Sequence, residues 1–392
     1  MSKIIILSNE SGGGHKQTAA VLLKALQQKG REVTVVNTFR ELFFDLDFGA
    51  KWFGLSGEDI YNKLILQNEA SQFVYKLFFF SIYYLFFIPK RKTIIKRLGR
   101  FFEQQQPDLV ISVIPIINHE LAAALRQRHI PFLVIQTDLF EYEEASLFWR
   151  WLVPYGAWFV ADKYSYMASG TTYGYQQALS YQPDANRVVQ LSGTVIDPRF
   201  LQQRTFDVAL ERQKFNLKTD QPIGLFLYGG YPPGRLLKLA KQLDRLKVKA
   251  QLIFICGKNR ALQQSLTNLT TGYKKIVLGY CNDVPYYMQL ADFLVGKSGP
   301  GAIMEGMALG LPLLLDISHV MPHEQSNAPW VEQQQRGMAF KTARQLCHAI
   351  DTLNNKKSRI KPQLPFDNRA IFEVVELTEK LLLGDKSNGA KL

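Results

Sequence analysis

The stretch Ala291 to Pro312, A-D-F-L-V-G-K-S-G-P-G-A-I-M-E-G-M-A-L-G-L-P, decides how the chain is read, because it passes from strand to glycine-rich turn to helix. Phe293, Leu294 and Val295 form an apolar run of strand length, and Pro300 cannot continue it. Gly299 and Gly301 lack the Cβ atoms that would hold a phosphate away from the backbone. The spacing predicts a helix that starts near Ala302 and ends at Gly310 and Pro312. Its unpaired N–H groups and the positive end of its dipole would face the turn, a setting that suits a diphosphate. Glu305, read on the first turn, is placed to accept hydrogen bonds from both hydroxyls of a ribose. An ordinary β-turn-α corner with a surface glutamate has the same glycine spacing, so this stretch alone leaves both readings open.

A second glycine loop lies at the other end of the chain. Lys3 to Asn9, K-I-I-I-L-S-N, has the pattern of a buried strand, and Ser11-Gly12-Gly13-Gly14-His15 follows it. The helix after it carries Ala19, Leu22, Leu23 and Leu26 on one face and ends at Gly30. The loop is not the G-x-G-x-x-G of a dinucleotide site and lacks the G-K-[ST] ending of a P-loop, which disfavours a nicotinamide enzyme and an ATPase. Gly12, Gly13 and Gly14 are candidates for an acceptor or phosphate loop. His15 stands at a helix N-terminus, where the dipole disfavours the imidazolium, and a neutral imidazole is able to act as a base. Capping the helix or contacting phosphate is the plainer role for the same residue.

The chain has 392 residues, more than one core accommodates, so two domains are expected. Cys256, Cys281 and Cys347 are widely spaced and follow no metal-ligand pattern, which reads as reduced thiols in a cytoplasmic protein. The first apolar run is too short for the core of a signal peptide. Lys and Arg total 47 against 34 Asp and Glu, a formal net charge of +13, so an anionic partner is expected. Pro89 to Arg100, P-K-R-K-T-I-I-K-R-L-G-R, holds six cations and no acid, and it follows the apolar run Val74 to Ile88. Aromatic residues beside cations suit an anionic membrane surface: Phe78, Phe79, Phe80, Tyr83, Tyr84, Phe86 and Phe87 with Lys90, Arg91, Lys92, Lys96 and Arg97. The run is shorter than the ~20 residues of a spanning helix, so the segment would lie on a bilayer. A core helix beside a solvated basic face is the alternative. No nucleic-acid module accompanies the charge, and no nucleic acid is expected as a partner.

Strand candidates alternate with helices in both halves. They are Lys3 to Asn9, Glu32 to Asn37, Leu109 to Ile114, Phe132 to Gln136, Ala157 to Val160 and Arg187 to Leu191, then Ile223 to Tyr228, Gln251 to Cys256, Lys275 to Leu278, Phe293 to Val295 and Leu313 to Asp316. Each half is therefore expected to be an α/β, doubly wound, Rossmann-like unit with ligand at the carboxyl ends of its strands, in the cleft between the two. The expected organisation is an amino-terminal acceptor and membrane domain over 1–200 with an insertion at about 40–105, a linker over 201–221, a donor domain over 222–383 and a disordered tail over 384–392.

With both loops placed, the chain resembles the diacylglycerol glycosyltransferases: the monogalactosyldiacylglycerol synthases of plastids and the processive diacylglycerol glucosyltransferases of bacteria, in glycosyltransferase family 28. Gly12 to His15 is similar to that family's G-G-G-H, Pro107 to Pro115 to its P-D-L-I-I-S-x-x-P, and Thr137-Asp138 to its T-D pair. Ser192 to Phe200 is similar to S-G-x-x-I-x-P-x-F, and Ile255 to Asn259 to I-C-G-R-N. Gly296 to Glu305 is similar to T-K-A-G-P-G-T-I-A-E, and Pro322 to Asn327 to an altered G-Q-E-x-G-N.

The resemblance implies a GT-B fold and an inverting, metal-independent transfer of a hexose from a UDP-sugar, UDP-glucose or UDP-galactose, to the hydroxyl of diacylglycerol or a related lipid. It implies no cofactor, the UDP-sugar being a substrate, and a cytoplasmic protein peripheral on the inner face of the cell membrane. It makes His15 the base or the residue that positions the acceptor, with Asp138 to orient or assist it. The implied donor set is Gly229, Gly230, Lys258, Asn259, Tyr280, Lys297, Ser298, Gly299, Pro300, Gly301, Glu305, His323, Glu324 and Asn327. Two departures stand out. His323 replaces the glutamine of G-Q-E, and Phe140 to Glu144 lack the histidine that relatives carry after T-D, leaving Tyr142 or Glu143 in that space. They keep open a non-catalytic nucleotide-sugar-binding membrane protein, and the fold keeps open a UDP-sugar epimerase.

Overall fold

The alternating apolar runs fold into two parallel sheets, each six-stranded among the described residues. The computed structural model describes residues 1–11, 13–46, 54, 56–63, 71–81, 84, 88–141, 158–202, 205–354 and 364–384. The chain divides into two compact units. One comprises Met1–Tyr61, Gln72–Asp197 and the stretch from Asn368, and the other Pro198–Asp367.

In the first unit the strands are β1 (Lys3–Ser8), β2 (Glu32–Asn37), β3 (Leu109–Ser112), β4 (Phe132–Ile135), β5 (Ser165–Ser169) and β6 (Val188–Gln190), in the order β2-β1-β3-β4-β5-β6. β1 is central because every residue from Ile4 to Leu7 is apolar and fully buried, as a strand covered on both faces must be. Helix α1 (Gly14–Gln28) returns the chain from β1 to β2, burying Ala19, Leu22 and Leu26. Helices α2 (Gln72–Ser81) and α3 (Ile88–Gln105) precede β3, and α4 (Asn118–Arg126) follows it. Helix α5 (Thr172–Tyr181) joins β5 to β6. Ile94, Leu98 and Phe102 of α3 lie at helical spacing and enter a core with Leu121, Leu125, Val110 and Phe132.

Parts of the organisation differ from the reading of the sequence. Trp158 to Val160 are buried but form no strand: the Trp158 N–H donates to Glu141 Oε2 at 3.0 Å and its carbonyl accepts from Asn118 Nδ2 at 3.0 Å. Side chains satisfy this backbone, and Ala157 lies outside the described residues. The strand is instead β5, whose serine ends disguise it. Ser169 Oγ donates to Gln136 Oε1 at 2.6 Å and the Ser165 carbonyl accepts from Gln182 at 3.2 Å, while the Ser165 hydroxyl is buried without a partner.

The second unit has β7 (Ile223–Leu227), β8 (Gln251–Ile255), β9 (Lys275–Leu278), β10 (Phe293–Lys297), β11 (Leu313–Asp316) and a short edge strand, β12 (Gly337–Phe340), that the sequence pattern did not suggest. Their order is β12-β11-β10-β7-β8-β9. The polar stretch expected to be a linker contains helix α6 (Val208–Lys214), begun by Asp207, whose Oδ1 accepts from Ala209 N–H at 2.8 Å. Helices α7 (Arg235–Arg245), α8 (Arg260–Asn268), α9 (Val284–Leu290), α10 (Pro300–Ala308), α11 (Asn327–Gln333) and α12 (Ala343–Asn354) complete the unit. Phe226 and Phe254, ring centroids 4.7 Å apart, centre a core with Leu239, Leu243, Val295 and Leu346.

The last helix, α13 (Ala370–Gly384), belongs to the first unit and not to the donor domain expected over 222–383. It packs on α1, where Glu379 forms an ion pair with Arg31. Glu373 Oε2 accepts from Ser192 N–H at 2.8 Å, and Asn368 Nδ2 donates to the Thr194 carbonyl at 2.9 Å. These partners are remote in sequence, so no local pattern announces them. Residues 385–392 of the expected tail lie outside the described residues.

Candidate active site

In the second unit the strand order reverses between β10 and β7, and in an open α/β sheet that is where the loops at the carboxyl ends leave a crevice. Both strands there feed helices whose first N–H groups receive no side-chain cap: α7, begun at Gly234, and α10, begun at Gly299. α10 begins at Pro300, two residues earlier than expected, because proline is preset for the first helical position. Glu305 is therefore on the second turn, half-exposed, with no acidic residue on the first. A Cβ on Gly301 would meet nothing within 4 Å, whereas one on Gly299 would come within 3.0 Å of the Lys297 side chain.

The chemistry of this turn is that of an anion site. The Ser298 hydroxyl is fully buried, and its Oγ has no hydrogen-bond partner. Asn327, at the start of α11, donates from Nδ2 to the Ser298 carbonyl at 2.7 Å, and its Oδ1 is likewise buried and unpartnered. Burying a hydroxyl without a partner is costly, and a phosphate oxygen is a strong acceptor for it. Lys297 Nζ donates to Glu324 Oε1 at 3.1 Å. Burial pushes the Glu324 carboxyl up, but the Lys297 ammonium and His323 outweigh it and hold the carboxyl below its ordinary value. His323 is half-buried in the 3₁₀ turn Pro322–Glu324.

Gly229, in the left-handed region at φ 79°, and Gly230 follow β7. The Gly230 carbonyl accepts from the Lys258 N–H at 2.9 Å, and a Cβ on Gly257 would lie 2.5 Å from that oxygen. Lys258 Nζ is 5.4 Å from the Tyr231 ring centroid. Asn259 caps α8, its Oδ1 accepting from Leu262 N–H at 3.0 Å, and donates to the Pro232 carbonyl at 3.0 Å, so its side chain ties two loops together. Tyr280 is exposed after β9.

In the first unit the order reverses between β1 and β3, and His15 spans that point. It is the second residue of α1, and its Nδ1 lies 2.7 Å from the Val113 carbonyl after β3. A carbonyl only accepts, so Nδ1 carries the proton and Nε2 presents a lone pair. Thr137 Oγ1 is 3.0 Å from the same Nδ1. Asp138 does not meet His15 directly. Its Oδ2 accepts from Trp158 Nε1 at 2.9 Å, and the Trp158 ring centroid is 5.9 Å from that of His15. Gly13 adopts φ 90° before the helix, Gly14 opens it, and Gly12 lies outside the described residues. Tyr142 and Glu143 lie outside them too.

Of the aromatic and basic set, Phe79 (its side chain), Tyr83, Phe86 and Phe87 are outside the described residues. Phe78 is half-buried beside Tyr61, and Phe80 lies 4.7 Å from Tyr84 between ring centroids. Three cations bind within the unit: Lys90 to the Leu46 carbonyl at 2.9 Å, Arg91 to Glu120 at 3.0 Å, and Arg97 to Asp45. Lys92 and Lys96 are exposed on the face of α3 away from its core residues. No helix among the described residues is long and apolar enough to cross a membrane.

Sequence reasoning missed Trp158, whose ring packs beside His15, and the cluster of buried Tyr228 and Asp316 with half-buried Arg235 and Ser318 beside β10. Neither falls in a spaced motif.

Two parallel Rossmann-like sheets with glycine-opened helices at their strand reversals define a GT-B protein. Solved structures share the fold: MurG of Acinetobacter baumannii (TM-score 0.59, 16% identity, 97% of this chain and 100% of that one) and a UDP-GlcNAc 2-epimerase of Neisseria meningitidis (TM-score 0.58, 15% identity, 97% and 100%). At such identities the likeness speaks for the fold alone. Residues 233–373 match the glycosyltransferase family 28 C-terminal domain. The chain is 27% identical to the processive diacylglycerol beta-glucosyltransferase of Bacillus subtilis over 92% of its own length and 90% of that protein's. It is 25% identical to monogalactosyldiacylglycerol synthase 1 of Arabidopsis thaliana over 89% of its length and 64% of that protein's. The chain is thus similar over most of its length to diacylglycerol glycosyltransferases, and its second unit carries the match to the family 28 C-terminal domain.

Proposed function

We propose that the protein transfers a hexose, from UDP-glucose or UDP-galactose, to the hydroxyl of diacylglycerol or a related membrane lipid, with inversion and without a metal or other cofactor. The observation that carries this reading is His15, held by Val113 in the tautomer that leaves Nε2 able to take a proton. A protein that only binds nucleotide sugars has no use for such a base. The lipid oxygen attacks the anomeric carbon as the bond from that carbon to UDP breaks, and Nε2 accepts the hydroxyl proton. One displacement inverts the centre. The diphosphate leaves onto the N–H groups of α10 and the Ser298 hydroxyl, with Lys297 and Lys258 as nearby cations, and Glu305 holds the ribose. The relatives' names, glucosyltransferase and monogalactosyldiacylglycerol synthase, support the lipid and the two sugars. Lys92 and Lys96 on α3 support attachment to anionic lipid, which we place at the cytoplasmic face of the cell membrane.

The test incubates the protein with anionic liposomes containing diacylglycerol and either UDP-sugar, following UDP and glycolipid by mass spectrometry. A glycolipid lost in His15→Ala and Glu305→Ala is the expected result. UDP-sugar binding without product would make the chain a binding protein, and an epimerised sugar without acceptor would make it an isomerase.

A further inference from the structure

One buried carboxylate in the second unit has no part in the reaction described so far. Asp316, the last residue of β11, is 1% exposed. Its Oδ2 accepts from the Tyr228 hydroxyl at 2.7 Å and from Arg235 Nη1 at 2.6 Å. Its Oδ1 accepts from the Ser318 N–H at 3.0 Å and from the Ser318 hydroxyl at 2.7 Å. The Arg235 guanidinium also lies 5.8 Å from the Tyr228 ring centroid.

The position of these residues matters more than their number. Asp316 is paired in register with Lys297 of β10, and Tyr228 directly follows Leu227, which is paired with Gly296 of β10. The bonds to Asp316 thus join the two strands on either side of β10, just where β10 ends and the Ser298 turn begins. Tyr228 and Arg235 bound the loop between β7 and α7, which contains Gly229 and Gly230. Ser318 begins the loop that leads to His323 and Glu324. A carboxylate with both oxygens bonded in a dry site is rigid, and it transmits that rigidity to whatever it ties.

We propose that Asp316, with Tyr228, Arg235 and Ser318, is a positioning clamp that fixes the spacing of the two loops flanking the diphosphate turn. It governs nucleotide affinity without touching the nucleotide. The proposal rests on the reading of that turn as the UDP site.

The test uses the full chain, UDP as the probe, and Tyr228→Phe and Ser318→Ala, each of which removes one of the two bonds to a different oxygen of Asp316. Asp316→Asn is included, but it leaves Arg235 without its carboxylate and is the variant most exposed to misfolding. UDP affinity is measured by titration, and melting is measured with and without saturating UDP. Losing one hydrogen bond of the clamp is expected to weaken UDP binding by about 2- to 10-fold. The UDP-induced rise in melting temperature shrinks with it, since that rise follows the dissociation constant. A cluster that is merely structural lowers both melting temperatures equally and leaves UDP affinity as in the parent, and that outcome overturns the clamp alone. A parent protein that gives no UDP-dependent rise overturns the reading of the turn, and the clamp with it.

Discussion

The loop before α1 and the loop before α10 share one plan and differ in what lies beneath it. Each follows a buried strand at the point where its sheet reverses, and each opens a helix whose N-cap glycine offers no side-chain bond. Under the first, His15 turns Nδ1 to the Val113 carbonyl, and under the second, Ser298 buries a hydroxyl with no partner beside the Lys297–Glu324 pair. The backbone device is the same, a set of unpaired N–H groups at a positive dipole end. The side chain next to it decides whether the loop manages a proton or an anion.

The sharpest way to break this contrast is at His15. His15→Ala is expected to lower turnover by about 10²- to 10⁴-fold, the span typical of a lost general base, and to leave UDP affinity unchanged. His15→Asn tests the same point more strictly, because an amide N–H is able to keep the bond to Val113 while supplying no base. Turnover measured under saturating UDP-sugar should fall equally in both. Activity retained in His15→Asn would make the residue a helix-end brace, and the two loops would no longer differ in kind.

The second loop is tested at Lys297. Glu324 is buried, which pushes its carboxyl up, and the Lys297 ammonium, with His323, outweighs burial and holds it below the ordinary value. A carboxyl lowered by folding stabilises the protein above its unfolded pKa, and that stability is lost as pH falls through the folded value. In Lys297→Met only His323 is left to oppose burial, so the carboxyl moves upward and less stability is lost in acid. Lys297 is itself part exposed, so the cost near neutral pH is about 1–3 kcal/mol, below that of a fully buried pair. Melting followed from about pH 7 downward should show the parent losing more stability than the variant. Parallel curves would mean that His323, not Lys297, carries the Glu324 charge.

The two loops also show which parts of the molecule the sequence makes legible. Both were readable because strand, glycines and helix are contiguous, and so the alternation gave the doubly wound class. What escaped was non-local or polar. β5 hides because its buried ends are serines, and the partners of the Ser169 hydroxyl and the Ser165 carbonyl, Gln136 and Gln182, come from elsewhere in the fold. α13 carries a regular apolar face, but its attachment to the first unit rests on Arg31, Ser192 and Thr194, far away along the chain. In the candidate site, His15 and Ser298 were visible as motif members. Trp158 and Asp316 were not, because a single tryptophan or aspartate becomes informative only when its partners are seen. α10 starts two residues before the expected point because Pro300, which breaks a strand, also serves as a helix opener.

The smallest expected effect is at Ser298, and there the direction matters more than the size. A buried hydroxyl without a partner is a cost to the unliganded protein. Ser298→Ala removes that cost at the loss of one oxygen, so the unliganded melting temperature should stay level or rise, by no more than about 1 kcal/mol of stability. The same change removes a donor from the diphosphate, so UDP should bind more weakly. Opposite movement of stability and affinity is the signature of a group held for a ligand. A fall in both would make the Ser298 hydroxyl a bonded structural group, and a loop with no unmet donor would have lost the feature that sets it apart from the one beside His15.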